Sequence, residues 1–412
     1  MDTIEAAEAA VAPTRLAAHR RRGSDYAELL NQVRQAGLLD RRPTYYTVRI
    51  ALNAVLVVAG WTVFVLLGDS WWQLATAAYL AVVFTQTGFL GHDAGHRQIF
   101  WSWRANQVVG LLHGNLAIGM AFGWWVDKHH RHHAHPNTEN VDPDIGAESI
   151  VFTVAQAGGR RGAGRLPARH QAHLFFPMLL LEAISLHVAS VRAVCRSGYR
   201  QRGREALLLG LHTAAYLAAV IVVLSPVRAL VFVIVHQGLF GLYLGCSFAP
   251  NHKGMPILDA DDDADFLRRQ VLTARNWLVD LLLGGLNYQI EHHLFPNVPR
   301  AALHRARPII RAYCRDHRLP YVETGLFDSY RQALNHLYAV GRAHAQPVPQ
   351  PAAVPDGHGH PVASAGRHAA QRTGQTTPPV ASQAFNGRPV ALPDADRATA
   401  AGRRGHPRPA PT

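Results

Sequence analysis

Apolar residues in this chain gather into four long runs instead of alternating. They are Tyr46–Gly68, Trp71–Leu90, Ala206–Leu224 and Arg228–Phe248. Each is about as long as a helix must be to cross a hydrocarbon core, roughly 17–25 residues. Only "DSWW" joins the first two, which predicts a tight hairpin with Trp71 and Trp72 as interfacial anchors. A fifth apolar stretch, Leu174–Val194, is interrupted by Pro177, Glu182, His187 and Arg192. If it spanned, the basic loop "CRSGYRQRGRE" after it would lie outside. Laid in the interface, it keeps that loop inside, as the positive-inside rule favours. The expected fold is therefore all-α and integral to a membrane. It has four transmembrane helices and a cytosolic helical cap built from 91–205 and 249–412.

Three regions follow. Residues 1–45 read as a polar, basic N-terminal segment with one helix-like stretch, Tyr26–Leu39, broken by Pro43. No signal-peptide pattern opens them. Residues 46–345 form the membrane domain, with 91–173 amphipathic and loop-rich. From 346 to 412, Pro, Ala, Gly, Arg and His dominate without a hydrophobic period. Such a segment cannot bury enough surface to offset its ordering entropy, so a disordered tail is expected.

Charge refines this picture. The formal net charge is +13, carried almost wholly by arginine, since Lys128 and Lys253 are the two lysines. Arg15, Arg20, Arg21, Arg22, Arg41 and Arg42 precede the first run, and Arg160, Arg161, Arg165 and Arg169 lie in a central loop. Basic residues flanking apolar runs fit an anionic inner leaflet better than nucleic acid. A multi-pass protein of the cell's inner membrane is expected. Cys195, Cys246 and Cys314 are scattered and give neither a disulfide framework nor a Cys-pair metal motif.

Histidine supplies the candidate chemistry. "GHDAGH" places His92 and His96 at i, i+4 on a helix continuing from the second run. "DKHHRHHAHPN" places His129, His132 and His133 at i, i+3, i+4, with His130 and His135 pointing elsewhere. "NYQIEHHLFPNVPR" repeats that spacing with Gln289, His292 and His293. His252, in "APNHKGMP", closely follows the last run. Any one pair at i, i+4 can arise by chance. Several such clusters on one predicted face are harder to explain as solvation. Together they offer eight imidazoles, too many for one ion and suited to two. A hydrolytic zinc site usually needs three protein ligands and a water, and neither HExxH nor GxSxG occurs. A transporter would carry its ligands within the spans, whereas these lie almost wholly outside them. An imidazole-rich two-metal site beside lipid-holding spans suits O2 activation by iron, with the metal and O2 supplying the difficult chemistry.

HDAGH, HHRHH and QIEHH, in this order and with these intervening spans, resemble the three histidine boxes of the membrane fatty acid desaturase family. The resemblance covers roughly residues 45–320. A third box that begins with Gln is similar to the front-end, linoleoyl-CoA desaturase-like branch. The resemblance implies an oxygen-dependent acyl desaturase with two iron ions and O2 as co-substrate. His92 and His96, then His129, His132 and His133, then His292 and His293 would be the ligands of the three boxes. His252 would be the additional ligand between the second and third boxes. Gln289 stands where some relatives have His, and is a ligand, a water-mediated ligand or a neighbour of ligands. Asp93 and Glu291 are candidates to orient imidazole N–H groups. A hydroxylase or ketolase shares these boxes. The HPGG motif of a fused haem domain does not occur, so an external donor such as a ferredoxin or a reductase is expected. Arg268, Arg269, Arg275 and Arg300 are candidates to dock it. His212, His236 and Gln237 lie within predicted spans and are either functional or bonded between helices.

Overall fold

A computed structural model describes residues 25–146, 149–199, 201–277 and 284–343. Residues 1–24 and the tail expected at 346–412 lie outside the described residues. Proline opens the first span at no cost, because the first N–H groups of a helix have no intrahelical partner. That span runs Pro43–Leu67 and ends at Gly68, whose φ of 56° suits a residue without Cβ. The other spans are Gln73–Gly95, Arg202–Val223 and Pro226–His252. All four are long and apolar enough to cross a membrane.

The spans are not equivalent. Within their apolar windows the second and fourth are 61% and 39% buried, the first and third 17% each. The second and fourth therefore form the protein interior. The first and third present Val55, Val58, Leu66, Ile221 and Val222 outward. Few polar contacts stitch them together. Asn53 Nδ2 donates to Thr87 Oγ1 at 2.9 Å, and Gln86 Nε2 donates to Tyr243 Oη at 3.0 Å. Tyr216 Oη lies 2.9 Å from His236 Nδ1. The turns at 68–72 and 224–226 meet through Asp69, which accepts from Ser225 N at 2.9 Å and pairs with Arg228.

The interior helices run on past the apolar runs, as the spacing of His92 and His96 implies for the second. The second continues to Gly95 and the fourth to His252, so each carries an imidazole on a polar extension of its span. One expectation needs correction: 91–173 is not mainly loop. Trp103–Gly110 runs into a π-helix, Leu111–Ala117, and after a 113° bend into Phe122–Ala134. Polar side chains from distant segments make this break possible by satisfying the freed backbone groups. His187 Nδ1 bonds Gly119 O at 2.8 Å, and His212 Nδ1 bonds Leu116 O at 2.9 Å. Ser190 Oγ accepts from Ala121 N at 2.9 Å, and Asn115 Oδ1 from Phe122 N at 3.0 Å. The buried Glu205 carboxylate accepts from Gly123 N at 3.2 Å, setting a negative charge at the N-terminus of Phe122–Ala134.

The stretch 174–194 is also bent, by 70°, between Gln171–Leu179 and Glu182–Cys195. Behind the spans lie Asp25–Gln35, Phe266–Leu272, Gln289–Leu294, Arg300–Asp316 and Leu326–Ala343. Asn276–Trp277 and Glu323–Thr324 form a short parallel pair. Leu29, Val33, Val271, Ile290, Leu294 and Ile310 pack into one core that clamps the six-residue helix Gln289–Leu294.

Candidate metal centre

Four elements bring the histidines together: the ends of the second and fourth spans, Phe122–Ala134 and Gln289–Leu294. Helical periodicity turns His129, His132 and His133 inward and leaves His130 exposed. His135 is partly buried, its Nδ1 accepting from Arg269 Nη1 at 2.9 Å.

Two sets result. His92, His96, His129 and His292 offer ring nitrogens that all lie within 4.8 Å of one another. His132, His252 and His293 do the same. His133 stands between the sets, with Nε2 3.1 Å from His129 Nε2 and its ring stacked on His293 at 4.2 Å. The boxes are thus dealt out across the sets. His292 and His293, adjacent in sequence, face different ones, as do His129 and His132.

The hydrogen bonds identify which nitrogens are bare. A neutral imidazole carries one N–H, and its partner identifies it. His132 Nδ1 lies 2.9 Å from both oxygens of Asp142. His252 Nδ1 lies 2.8 Å from Thr273 O. His293 Nδ1 lies 2.9 Å from Gln270 Oε1, and Gln270 Nε2 donates to His133 O at 2.9 Å. All three rings spend the N–H outward, so three Nε2 lone pairs point inward. They face one another at 3.3 Å (His132 to His252) and 3.1 Å (His252 to His293). In the other set, Nε2 of His92, His96 and His292 is buried with no hydrogen-bond partner. Buried polar atoms left this way are costly, and a cation in each set removes the cost. The donor set therefore fits two metal ions of the kind imidazole prefers: iron, zinc, copper or nickel.

Electrostatics agree. Burial first, then neighbouring imidazoles, push His96, His129, His133, His292 and His293 well below the ordinary imidazole value. They are neutral, as ligands must be. His132 differs. Burial opposes its charge, but Asp144 and Asp142 outweigh burial and raise it.

The supporting residues only partly match the sequence expectation. Asp93 lies 3.3 Å from His92 Nδ1 and pairs with Arg300 at 2.7 Å. Among the described residues, Glu291 makes no hydrogen bond to an imidazole. It accepts from Tyr321 Oη at 2.6 Å and Asn276 Nδ2 at 2.7 Å, and burial pushes its carboxyl up to about 7. Arg275 and Arg300, expected on a basic docking face, are buried. Arg300 Nη2 reaches Phe89 O and Asp93, and Arg275 holds Gln332 and Lys253 O. Arg268 is paired with Asp25 and Asp265. Sequence reasoning missed Asp142, Gln270 and Thr273. "DPD" marks a turn, but nothing in it indicates that Asp142 holds an imidazole ten residues back.

A cavity of about 360 Å³ opens onto both sets. His92, His129, His132, His252 and Gln289 line one part, and Ile118, Met120, Leu244 and Phe248 line another. Trp125 stacks on His129 at 4.5 Å beside it.

Comparison with known proteins agrees with this geometry. The fatty acid desaturase family model matches residues 69–325. An acyl-lipid (9-3)-desaturase of Physcomitrium patens is 28% identical over 343 residues, covering 78% of this chain and 63% of its own length. A Delta(6)-fatty-acid desaturase of Caenorhabditis elegans is 28% identical over 331 residues, covering 76% and 74%. A Delta(8)-fatty-acid desaturase of Helianthus annuus is 25% identical over 348 residues, covering 79% and 76%. With the family model matching well over half its length and the paired histidine sets inside the matched region, the chain belongs to the fatty acid desaturase family.

Proposed function

We propose that this protein is an oxygen-dependent fatty acyl desaturase of the front-end branch, working at the inner membrane with its histidine sets on the cytosolic side. The observation that carries the reading is the opening of one part-apolar cavity onto two facing sets of bare imidazole nitrogens. The net reaction is –CH2–CH2– + O2 + 2e⁻ + 2H⁺ → –CH=CH– + 2H2O. Two iron ions bound there supply the O2 activation needed to remove hydrogen from unactivated C–H bonds. His92, His96, His129 and His292, with His133 beside them, would hold one ion. His132, His252 and His293 would hold the other.

The protein's own contribution is ligation, orientation and positioning. Asp142, Thr273 O and Gln270 fix three imidazole tautomers. Ile118, Met120, Leu244 and Phe248 give an acyl chain an apolar bed beside the imidazoles. Which methylenes face the metals follows from how far the chain enters, so regiochemistry is a matter of small displacements. The two electrons come from an external donor such as a ferredoxin or a reductase. Acyl-CoA and acyl-lipid are the carriers to test.

The test is expression in a host that lacks the unsaturated product, followed by mass spectrometry of its lipids. The expected outcome is a product lighter by two hydrogens. It should disappear in His292→Ala, with iron retention lowered by about 10–100-fold or more. A product heavier by one oxygen would identify a hydroxylase instead, and one that gains an oxygen and loses two hydrogens a ketolase. No product at all, with iron loaded and a donor supplied, would overturn the reading.

A further inference from the structure

Gln289 begins the third histidine motif and, with His132 and His252, lines the cavity. Its carboxamide is buried and could face the three-imidazole set with either end. The oxygen would be a metal ligand. The nitrogen, whose lone pair is delocalised into the amide, would be only a hydrogen-bond donor.

The surrounding bonds choose between them. The indole N–H of Trp277 can only donate, and it lies 2.6 Å from Asn251 Oδ1. Asn251 therefore turns its Nδ2 the other way, toward Ser247 O at 3.3 Å and Gln289 Oε1 at 3.0 Å. The oxygen of Gln289 is thus taken, and its Nε2 lies 2.9 Å from His252 Nε2. That nitrogen is bare, because His252 spends its Nδ1–H on Thr273 O. Inverting Gln289 alone would set two NH2 groups against each other. Inverting Asn251 as well would set its NH2 against the indole N–H and its oxygen against Ser247 O. Each leaves a buried donor or acceptor unsatisfied, which costs more than a hydrogen bond returns.

We propose that Gln289 is not a metal ligand but a fixed hydrogen-bond donor, locked by Trp277 through Asn251. Among the described residues, that would leave an ion at His132, His252 and His293 with three protein ligands and an open position facing the cavity. A small exogenous ligand taking that position would receive the Gln289 N–H. The other ion would have four imidazoles, with His133 beside them, and no carboxamide among its neighbours in that set. The proposal rests on the two-metal reading above. It makes Gln289 a positioning residue, with Asn251 and Trp277 as its support.

The test uses the full chain, iron-loaded in detergent. Metal content is read by elemental analysis and azide binding by titration of its charge-transfer absorption. Two irons per wild-type chain are expected, and clearly fewer would sink the two-metal reading itself, separately from the orientation of Gln289. Gln289→Ala should keep two irons and bind azide about tenfold more weakly, the scale of one hydrogen bond to a charged partner. If the amide oxygen were a ligand, its loss would vacate a position, and azide would bind as well or better. That result overturns the proposal. Asn251→Asp decides independently, with Gln289 in place. It keeps an acceptor for the indole but removes the donor that holds Gln289 Oε1. The amide should turn, its oxygen should fill the open position, and azide binding should weaken with iron retained. Azide binding unchanged in Asn251→Asp would equally overturn the proposal.

Discussion

Asp142 shows how much a single carboxylate organises. It accepts from His132 Nδ1, from Asn137 N at 2.7 Å and from Asp144 N at 2.9 Å, so one buried side chain aims a ligand and closes the turn after it. Asp142→Asn sets an amide N–H2 among donors. It should lower metal retention by about 10–100-fold, read by competition with a chelator. The imidazoles also set a pH dependence. In the unfolded chain they take up protons below about 6.5, whereas His96, His129, His133, His292 and His293 are held neutral well below that value when folded. The unfolded state then binds more protons, so the stability these groups contribute is present above about 6.5 and is lost as pH falls toward the folded values. Chelator-stripped protein should show a melting temperature that declines from pH 7 to pH 5, and bound metal should lessen the decline near neutrality. A melting temperature that rose on acidification would contradict the burial of these rings.

Among the elements, the fourth span has the most demanding fit. It carries His252 at its end, and Gly241 lets it approach the bend between Gln171–Leu179 and Glu182–Cys195. A Cβ on Gly241 would lie 2.7 Å from Ala183 N and 2.8 Å from Leu179 O, both backbone atoms that cannot swing aside. Gly241→Ala should therefore cost about 1–3 kcal/mol as overpacking and loosen the metal set that His252 joins. Gly210, on the outward third span, meets nothing within 4 Å. Gly210→Ala should be neutral or stabilising by up to about 1 kcal/mol, since Gly is the poorer helix former. Thermal unfolding of the two variants in detergent checks the contrast. Phe122–Ala134 begins directly after a 113° break. Its start after the break is supported by Ser190, Asn115 and Glu205, contributed from three other segments. His187 and His212 are used the same way, against carbonyls at and just before the break.

For the whole molecule, the arrangement gives a topology that can be tested with a native cysteine. Glu205, in the first turn of the third span, accepts from Gly123 N at the start of Phe122–Ala134 and from Tyr199 Oη at 2.8 Å, which ties the loop after Glu182–Cys195 to that helix. That loop therefore shares a side with the histidine sets if 171–195 enters and leaves by one face. Cys195 is exposed, while Cys246 is partly and Cys314 fully buried. A membrane-impermeant maleimide should label Cys195 in inverted vesicles and not in intact cells. The reverse pattern would overturn the placing of this loop on the cytosolic side.

Much of this molecule is legible along the chain, because its signals are local. Twenty apolar residues in a row name a span whatever they pack against, and i, i+3, i+4 spacing puts imidazoles on one helical face. The four membrane-capable helices and the histidines of interest both follow from that. What sequence periodicity cannot supply is the pairing of distant groups. Spacing joins His292 to His293 and His129 to His132, yet the fold separates both pairs, because neighbouring positions on a short helix point in different directions toward different partners. The bend at 118–121 is invisible in hydropathy, since its cause lies in Ser190, Glu205, His187 and His212. Arginines that read as a docking face are buried as struts for Asp93, Gln332 and two backbone carbonyls. The chain determines which residues carry the chemistry through repeats that need no partner. Tertiary structure decides which nitrogen faces which ion, because a hydrogen bond needs both its ends.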